Sequence, residues 1–502
     1  MADATGYQNR TYWNETAVVP SFPRLAGDID VDVAIIGGGI VGITTARLLK
    51  DQRLRVAVIE ARRVGQQVTG KSTAKMTSQH GILYQILESK FGEDKARLYA
   101  EAQEAGIRRI CELAAQHRID ADIEPMPAYV WTDDESYVPK LEKEVALARK
   151  LGLPASMQRG DIGLPFEVLA AMRWDDQAQF HPVKYVAGLA ATIPGGGSHV
   201  FEASRATDYE PTRVVTERGT VTARHVVMAT HLPLGQVGLY YSIAYPHAEA
   251  VVAAPVARAL PGVYKNAESP DRSIRTHRHD GRVYAIAAGN HFKPGHVDDE
   301  RESVTDIERW LAETIGAGAA EYRWVNEDYQ AMDSSPYVGW SSKGGDGYLV
   351  ATGFAGWGIS NGTAAAMIIA DLVAGREHRW LPVFDARRVK PVAGAKEFAK
   401  ENLSVAAHLL SGYLSRKPKD YDALEPGQAA IMKVDGDNVA AFKDEQGVVH
   451  AVSAVCTHMG CLVGWNATDR SWDCPCHGSR FALSGEVIHG PATQPLGAKV
   501  TG

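Results

Sequence analysis

The chain has 502 residues, with 60 acidic against 53 basic side chains, a net charge of −7 and five cysteines. That length supports two or three domains, each with its own core, and the mildly acidic balance excludes a basic footprint for nucleic acid. Five cysteines are too few for a secreted disulfide scaffold, and no run of eighteen apolar residues suggests a membrane-spanning helix. Residues 1–25 lack the basic-then-apolar pattern of a signal peptide, so the expected location is cytoplasmic.

Residues 31–36, Val-Asp-Val-Ala-Ile-Ile, read as a buried parallel strand. The strand runs into the glycine turn Gly37 to Gly42, a helical segment and a second strand, Arg55 to Ile59, ending at Glu60. A lone GxGxxG is weak, but strand, turn, helix, strand and acid together predict a dinucleotide site. Gly37 permits the tight turn, Gly39 lets backbone approach a pyrophosphate, and Gly42 lets helix pack on strand. Ile40 opens the helix whose N-terminus favours the phosphates, and Glu60 is placed to accept hydrogen bonds from a ribose. Position favours FAD over NAD, although the motif alone does not separate them.

The loop Thr69 to Lys75 follows the second strand, and its small and hydroxyl residues suit close approach to a flavin, with Thr73 and Lys75 as contacts. Residues 88–150 are charged and helix-rich and read as solvated faces without chemistry. Cys111 reads as a buried small residue. Phe180-His181-Pro182 resembles the crossing into the substrate domain of a flavoprotein family, and that resemblance implies residues 240–295 as strands roofing one flavin face. Val226 to Thr230 is a core strand ending in a small-residue turn at Ala229. Gly347 to Ser360 is another strand–turn–helix unit, continued to Ala374, with Gly353, Gly358 and Ile359 against the flavin and Trp357 facing its pocket. The helix N-terminus after Gly358 suits the N1–C2=O region of reduced flavin.

On these features residues 31 to about 385 resemble the D-amino-acid oxidase family of flavoproteins, which includes glycine oxidase, sarcosine oxidase and D-amino-acid dehydrogenases. The resemblance implies a Rossmann-like α/β FAD-binding domain of the glutathione-reductase type with an interleaved antiparallel-sheet substrate domain. It also implies an amine or amino acid as the small-molecule substrate. No cysteine or histidine falls where a covalent flavin link is arguable, so non-covalent FAD is expected. His291 and His296 are spaced H-x4-H, as in a mononuclear iron site, but position 288 is Ala where a carboxylate is wanted, so iron is rejected. His291 then either lines the substrate pocket or satisfies backbone groups. Family members that grip a substrate carboxylate do so with an Arg-Pro before a D-x-x-P-x-x-G segment. Here, counting back from Asp333 to Gly339, those positions are Asp328 and Tyr329. An α-amino acid thereby loses its bidentate anchor, and Asp328, if it faces the pocket, prefers a cationic amine.

Composition shifts over residues 386–425, where Leu403 to Leu414 has apolar residues at helical spacing and reads as a helical linker packed between domains, with a membrane-surface or partner helix as the alternative. Gly427 to Val452 reads as short strands with turns at Asp435-Gly436 and Gln446-Gly447. Then come Cys456-Thr457-His458-Met459-Gly460-Cys461 and Cys474-Pro475-Cys476-His477-Gly478-Ser479. Two Cys–His pairs can hold a [2Fe–2S] cluster; structural zinc is the alternative, although zinc sites favour CxxC and HxxxH spacings. The second cysteine of each loop could tie the loops together.

The two boxes resemble those of the Rieske family at every defining position. That resemblance implies Cys456, His458, Cys474 and His477 as ligands, a Cys461–Cys476 disulfide, and a shielding proline loop at Gly490-Pro491. Ser479 can donate toward a bridging sulfide. Phe481 stands where high-potential members carry a tyrosine, so an intermediate potential is expected. The whole chain is similar to DadA-like oxidoreductases carrying a Rieske domain.

The expected division is a flavoprotein unit over 1–385, with FAD segments about 30–80, 200–235 and 335–375 and a substrate domain about 88–195 and 240–330. A linker over 386–425 and an all-β Rieske domain over 426–502 follow. The expected function is oxidation of a C–N bond, with electrons passing singly from FAD to the cluster and out to an external one-electron carrier. Exposed imidazoles of His458 and His477 are expected to form the exit edge. The alternatives are a cluster-fed reductase of an oxidised substrate and a non-catalytic electron-transfer partner of another enzyme.

Overall fold

The computed structural model describes residues 10–294, 300–341, 347–388 and 420–499. Most of the expected linker, including Leu403 to Leu414, and His296 lie outside the described residues. Among the described residues no helix is long and apolar enough to cross a membrane.

The strand Val33–Ile36 is buried at all four positions, as expected for a β-branched run covered on both faces. It sits inside a six-stranded sheet ordered His199–Phe201, Val56–Ile59, Val33–Ile36, His225–Met228, Tyr348–Thr352, Tyr337–Trp340. All pairs are parallel except the last, where Tyr337–Trp340 runs antiparallel on the edge. The helix Ile40–Asp51 starts directly after the glycine turn and packs against the long apolar helix Gly358–Val373. At the turn, Gly37 has φ +107° and a Cβ there would lie 2.4 Å from Ala229 O, so only glycine fits. A Cβ on Gly42 would lie 2.0 Å from Gly37 O, which is how helix and strand come close.

An eight-stranded sheet stands over this unit, built around the long strands Ala244–Val256, Arg282–Phe292 and Tyr322–Ala331. Its pairs are antiparallel except where Val263–Asn266 lies parallel to Ala128–Thr132. That last strand and the helices Glu93–His117 and Val138–Lys150 come from the charged stretch.

The C-terminal part is all-β in two small sheets. One contains Ala429–Val434, Asp437–Lys443 and Val449–Ser453; the other contains Gly464–Asn466, Ser471–Asp473, Arg480–Phe481 and Val487–His489. The turn at Asp435 and Gly436 has positive φ at both residues, matching a tight hairpin. Phe442, Trp472, Phe481 and the disulfide cysteines share one core.

Buried ionic contacts fix this part to the flavoprotein unit. Lys71 Nζ lies 2.5 Å from Asp469, and Arg480, itself 2.8 Å from Asp469, lies 3.8 Å from Glu327 of the flavoprotein unit. The Gly235 N–H donates to Pro491 O at 2.9 Å. Arg205 donates to Val487 O at 2.5 Å.

Candidate functional site: two facing cofactor sites

A cavity of about 500 Å³ opens at the C-terminal ends of the parallel strands, where ligands sit in such sheets. Its wall includes Gly37, Gly39, Ile40 and Glu60 at one end and Ala229, Gly358 and Ile359 further along. Thr73 and Lys75 also line it. Gly42 does not reach the wall and serves packing, while Gly353 lines a smaller neighbouring cavity of about 300 Å³. Glu60 is buried and accepts from Gly38 N–H at 2.8 Å and Arg62 N–H at 2.7 Å. Burial pushes its carboxyl up despite these bonds. Thr69 Oγ accepts from Ile40 N–H at 3.1 Å and so orders the mouth of the fingerprint helix. A Cβ added at Gly39 would meet only Thr69 Oγ within 4 Å, and that room suits close approach of a pyrophosphate. Two cations absent from the sequence expectations, Arg63 and Arg205, line the same cavity, and only tertiary structure brings Arg205 beside Glu60. Together these features fit FAD.

Over the other end stand Lys75, His247, Glu249, Lys265, His291 and Trp357. Lys75 bonds Ser273 Oγ, and burial with the nearby Lys265 charge pushes its ammonium down to about 7. His291 Nδ1 lies 2.8 Å from Asp271 and its Nε2 3.5 Å from Glu249. Burial disfavours the imidazolium, but those two carboxylates outweigh it and hold His291 above its ordinary value. His291 thus lines the pocket as one of its two expected roles. Trp357 stacks on His80 with ring centroids 4.5 Å apart.

Asp328 lines the cavity, but its carboxylate is already engaged. It accepts from His231 Nε2 at 2.7 Å, from Tyr329 N–H at 2.7 Å and from Gly356 N–H. Burial pushes the carboxyl up, and the His231 bond and charge more than reverse this. Asp328 thus faces the cavity with most of its acceptor sites taken by neighbours, which leaves little of it for a substrate amine.

The cluster residues converge in the C-terminal part. Cys461 and Cys476 are joined, with S–S 2.06 Å. The buried thiols of Cys456 and Cys474 lie in hydrogen-bond contact, and the rings of His458 and His477 stand 5.1 Å apart. The Nδ1 atoms of both histidines are buried with no hydrogen-bond partner. Two neighbouring thiols and two imidazole nitrogens without partners form the donor set of a cluster ligated by sulfur on one iron and nitrogen on the other. Ser479 is buried, and its Oγ accepts from Ala492 N–H at 3.0 Å, tying the proline loop to the second box.

The histidine edge is not exposed. His477 is buried, and Tyr241 of the flavoprotein unit stands edge-on to His458 and His477 at 4.7 and 5.1 Å. Tyr329 donates to His477 O at 2.8 Å. The expected exit edge is instead covered by Tyr241 and Tyr329 of the flavoprotein unit. Val487, Ile488, His489, Gly490, Ala492 and Thr493 of the cluster-bearing part form one wall of the FAD-shaped cavity.

Comparison with known proteins agrees with both halves. Residues 32–372 match the model of the FAD dependent oxidoreductase family and residues 417–499 that of the Rieske [2Fe-2S] domain. The protein YhfW of Bacillus subtilis (strain 168), provisionally named a Rieske 2Fe-2S iron-sulfur protein, is 34% identical over 492 residues, spanning 97% of this chain and 96% of its own. Gamma-glutamylputrescine oxidoreductase of Escherichia coli (strain K12) is 27% identical over 223 residues, 43% of this chain and 52% of its own. Glycine oxidase from Geobacillus kaustophilus superposes with a TM-score of 0.57 at 20% identity, over 72% of this chain and all of that one, which speaks for the fold.

Proposed function

The chain belongs to the FAD dependent oxidoreductase family and carries a Rieske [2Fe-2S] domain, and we propose that it is a dehydrogenase of amines or amino acids that sends electrons through its own cluster. One observation carries this reading: residues 487–490, 492 and 493 of the cluster-bearing part wall the cavity that fits FAD. A carrier serving some other enzyme has no need of a chamber roofed by the ionisable groups of Lys75, Glu249, Lys265 and His291. When bound, FAD supplies two-electron acceptance from a C–N bond and the cluster supplies one-electron storage.

The protein's own residues then do the binding and positioning. Glu249 offers a carboxylate to a substrate ammonium. Lys75, with an ammonium pushed down to about 7, can take up the proton that an amine must shed before oxidation. The guanidinium groups of the described wall, Arg63 and Arg205, lie at the Glu60 end, so a bidentate carboxylate anchor is lacking over the substrate end. This favours amines over simple α-amino acids. Tyr241 and Tyr329 of the flavoprotein unit cover the histidine edge of the cluster. The external carrier then meets the cluster loop elsewhere, and Thr457 and Met459 at its tip are exposed.

The test is anaerobic mixing of the holoprotein with a panel of amines and amino acids while flavin and cluster absorbance are followed. An amine that bleaches the flavin supports the reading. If none does, and a reduced one-electron carrier bleaches it instead, the reading fails in favour of a cluster-fed reductase.

A further inference from the structure

In the wall that the FAD-shaped cavity shares with the cluster-bearing part lies a hydrogen-bonded group that the proposed chemistry has not used. His231 Nε2 meets Asp328 Oδ1 at 2.7 Å, and His231 Nδ1 meets His489 Nε2 at 3.1 Å. His231 and Asp328 come from the flavoprotein unit and His489 from the cluster-bearing part, 258 residues from His231 along the chain. All three line the cavity. The ring of Tyr329 packs on both histidines, at 4.8 Å from His231 and 6.0 Å from His489. Its phenol donates to the carbonyl of the ligand His477.

Bond directions follow from the carboxylate. Asp328 accepts only, so His231 carries its proton on Nε2 and its Nδ1 accepts from the Nε2–H of His489. His489 Nδ1 is then left as an acceptor. A proton taken up there passes across the pair and leaves His231 as an imidazolium against Asp328.

Resting on the functional reading above, we propose that His231 and His489, oriented by Asp328, are the proton acceptor that works alongside electron passage from the FAD cavity to the cluster. The balance requires one. Oxidising the CH–NH unit of an amine to the C=N bond of an imine removes two electrons and two protons. The external one-electron carrier takes the electrons in two steps by way of the cluster. The substrate's N–H proton can leave through Lys75. The proton that travels with the electron pair must part from the electrons where they cross between domains, and the histidine pair sits at that crossing.

Charged groups face the pair from each element packed against it. Asp328 favours the imidazolium on His231, while His247, burial, Lys71 and Arg480 oppose charge on the pair from the roof and from the cluster-bearing part. With the Asp328 carboxylate beside His231 and cations facing His489, a transient imidazolium has one group to stabilise it, which suits uptake and release rather than storage.

The test uses full-length holoprotein reduced by light and EDTA with a deazaflavin mediator. No substrate is needed, so failure of the amine reading does not touch the outcome. Electron passage to the cluster is followed by absorbance in light and heavy water against pH, and the flavin midpoint potential is titrated against pH at equilibrium. The wild type is expected to slow about twofold in heavy water. In His489→Asn, passage is expected to slow about tenfold or more, with the isotope effect and one inflection in the potential–pH curve lost. If His489→Asn fails to assemble its cluster, His231→Gln and the wild-type isotope effect decide the matter. A wild type indifferent to heavy water, or a variant with unchanged rate and potential–pH curve, overturns the proposal.

Discussion

Tyr241 stands edge-on to His458, ring centroids 4.7 Å apart at 84°, so an aromatic ring of the flavoprotein unit caps an imidazole that the cluster is expected to use as a ligand. The same ring meets His477 at 74°. Replacing Tyr241 by Leu removes two aromatic contacts worth about 0.5–1.5 kcal/mol each. The cluster is expected to remain, with unchanged iron content, because all four expected ligand side chains are retained. Electron passage from flavin to cluster is expected to slow, and the imidazoles to become open to water. Stopped-flow absorbance after photoreduction reads the first effect, and hydrogen exchange at His458 and His477 reads the second.

The Lys71–Asp469 contact joins residues 398 apart in sequence and is buried on both sides. Lys71→Met leaves Asp469 with Arg480 as its remaining cation, and breaking one arm of a buried ionic network costs about 3–5 kcal/mol. The expected result is a lower thermal midpoint for the cluster-bearing part, with the double variant Lys71→Met/Asp469→Leu recovering much of the loss. Calorimetry of the three proteins measures it.

How far the sequence foretold this arrangement depended on whether a feature was local. The glycine turn, Glu60 and the two Cys–His boxes are contiguous patterns, and the structure collects them as a cavity mouth and a cluster site. The pairing of the two sites is different in kind. His231 with His489, Lys71 with Asp469, and Tyr241 with His458 each join distant segments whose spacing carries no periodic signal. The orientation of the histidine edge was misjudged for the same reason, since a cap supplied by another domain is invisible from within the motif. Asp328 was placed by counting from one motif, which finds its position on the strand but not that His231 occupies its carboxylate. Lys71 sits in a loop expected to face the flavin, yet it turns to the cluster-bearing part because a buried acid awaits it there.

Glu300 gives the domain contact a pH dependence. It is buried and accepts from Ala467 N–H at 3.2 Å, and burial followed by the Asp473 charge pushes its carboxyl up to about 7 from an ordinary 4.5. A carboxyl raised in the folded state binds its proton more tightly there than in the unfolded chain. Its contribution to stability is therefore complete below about pH 4.5 and is lost as pH rises to about 7. The limiting slope is roughly 1.4 kcal/mol per pH unit. Glu300→Gln is expected to flatten that slope in denaturant titrations, while groups elsewhere keep theirs.

Gly37→Ala tests the cavity mouth. Its φ of +107° and a Cβ 2.4 Å from Ala229 O make the substitution strained and clashing together. FAD content is expected to fall at least about tenfold for a strain of about 1–3 kcal/mol, while the cluster signal persists, as absorbance of the purified protein will show.

The central claim is that electrons cross from the flavin site to the cluster within one chain. A single turnover measures this most directly: holoprotein is photoreduced anaerobically at several protein concentrations, flavin absorbance and the cluster's paramagnetic signal are followed together, and His458→Ala serves as the cluster-free control. The expected result is cluster reduction that tracks flavin reoxidation at a rate independent of protein concentration and absent from the control. A cluster that stays oxidised, or that is reduced at a rate rising with protein concentration, contradicts it.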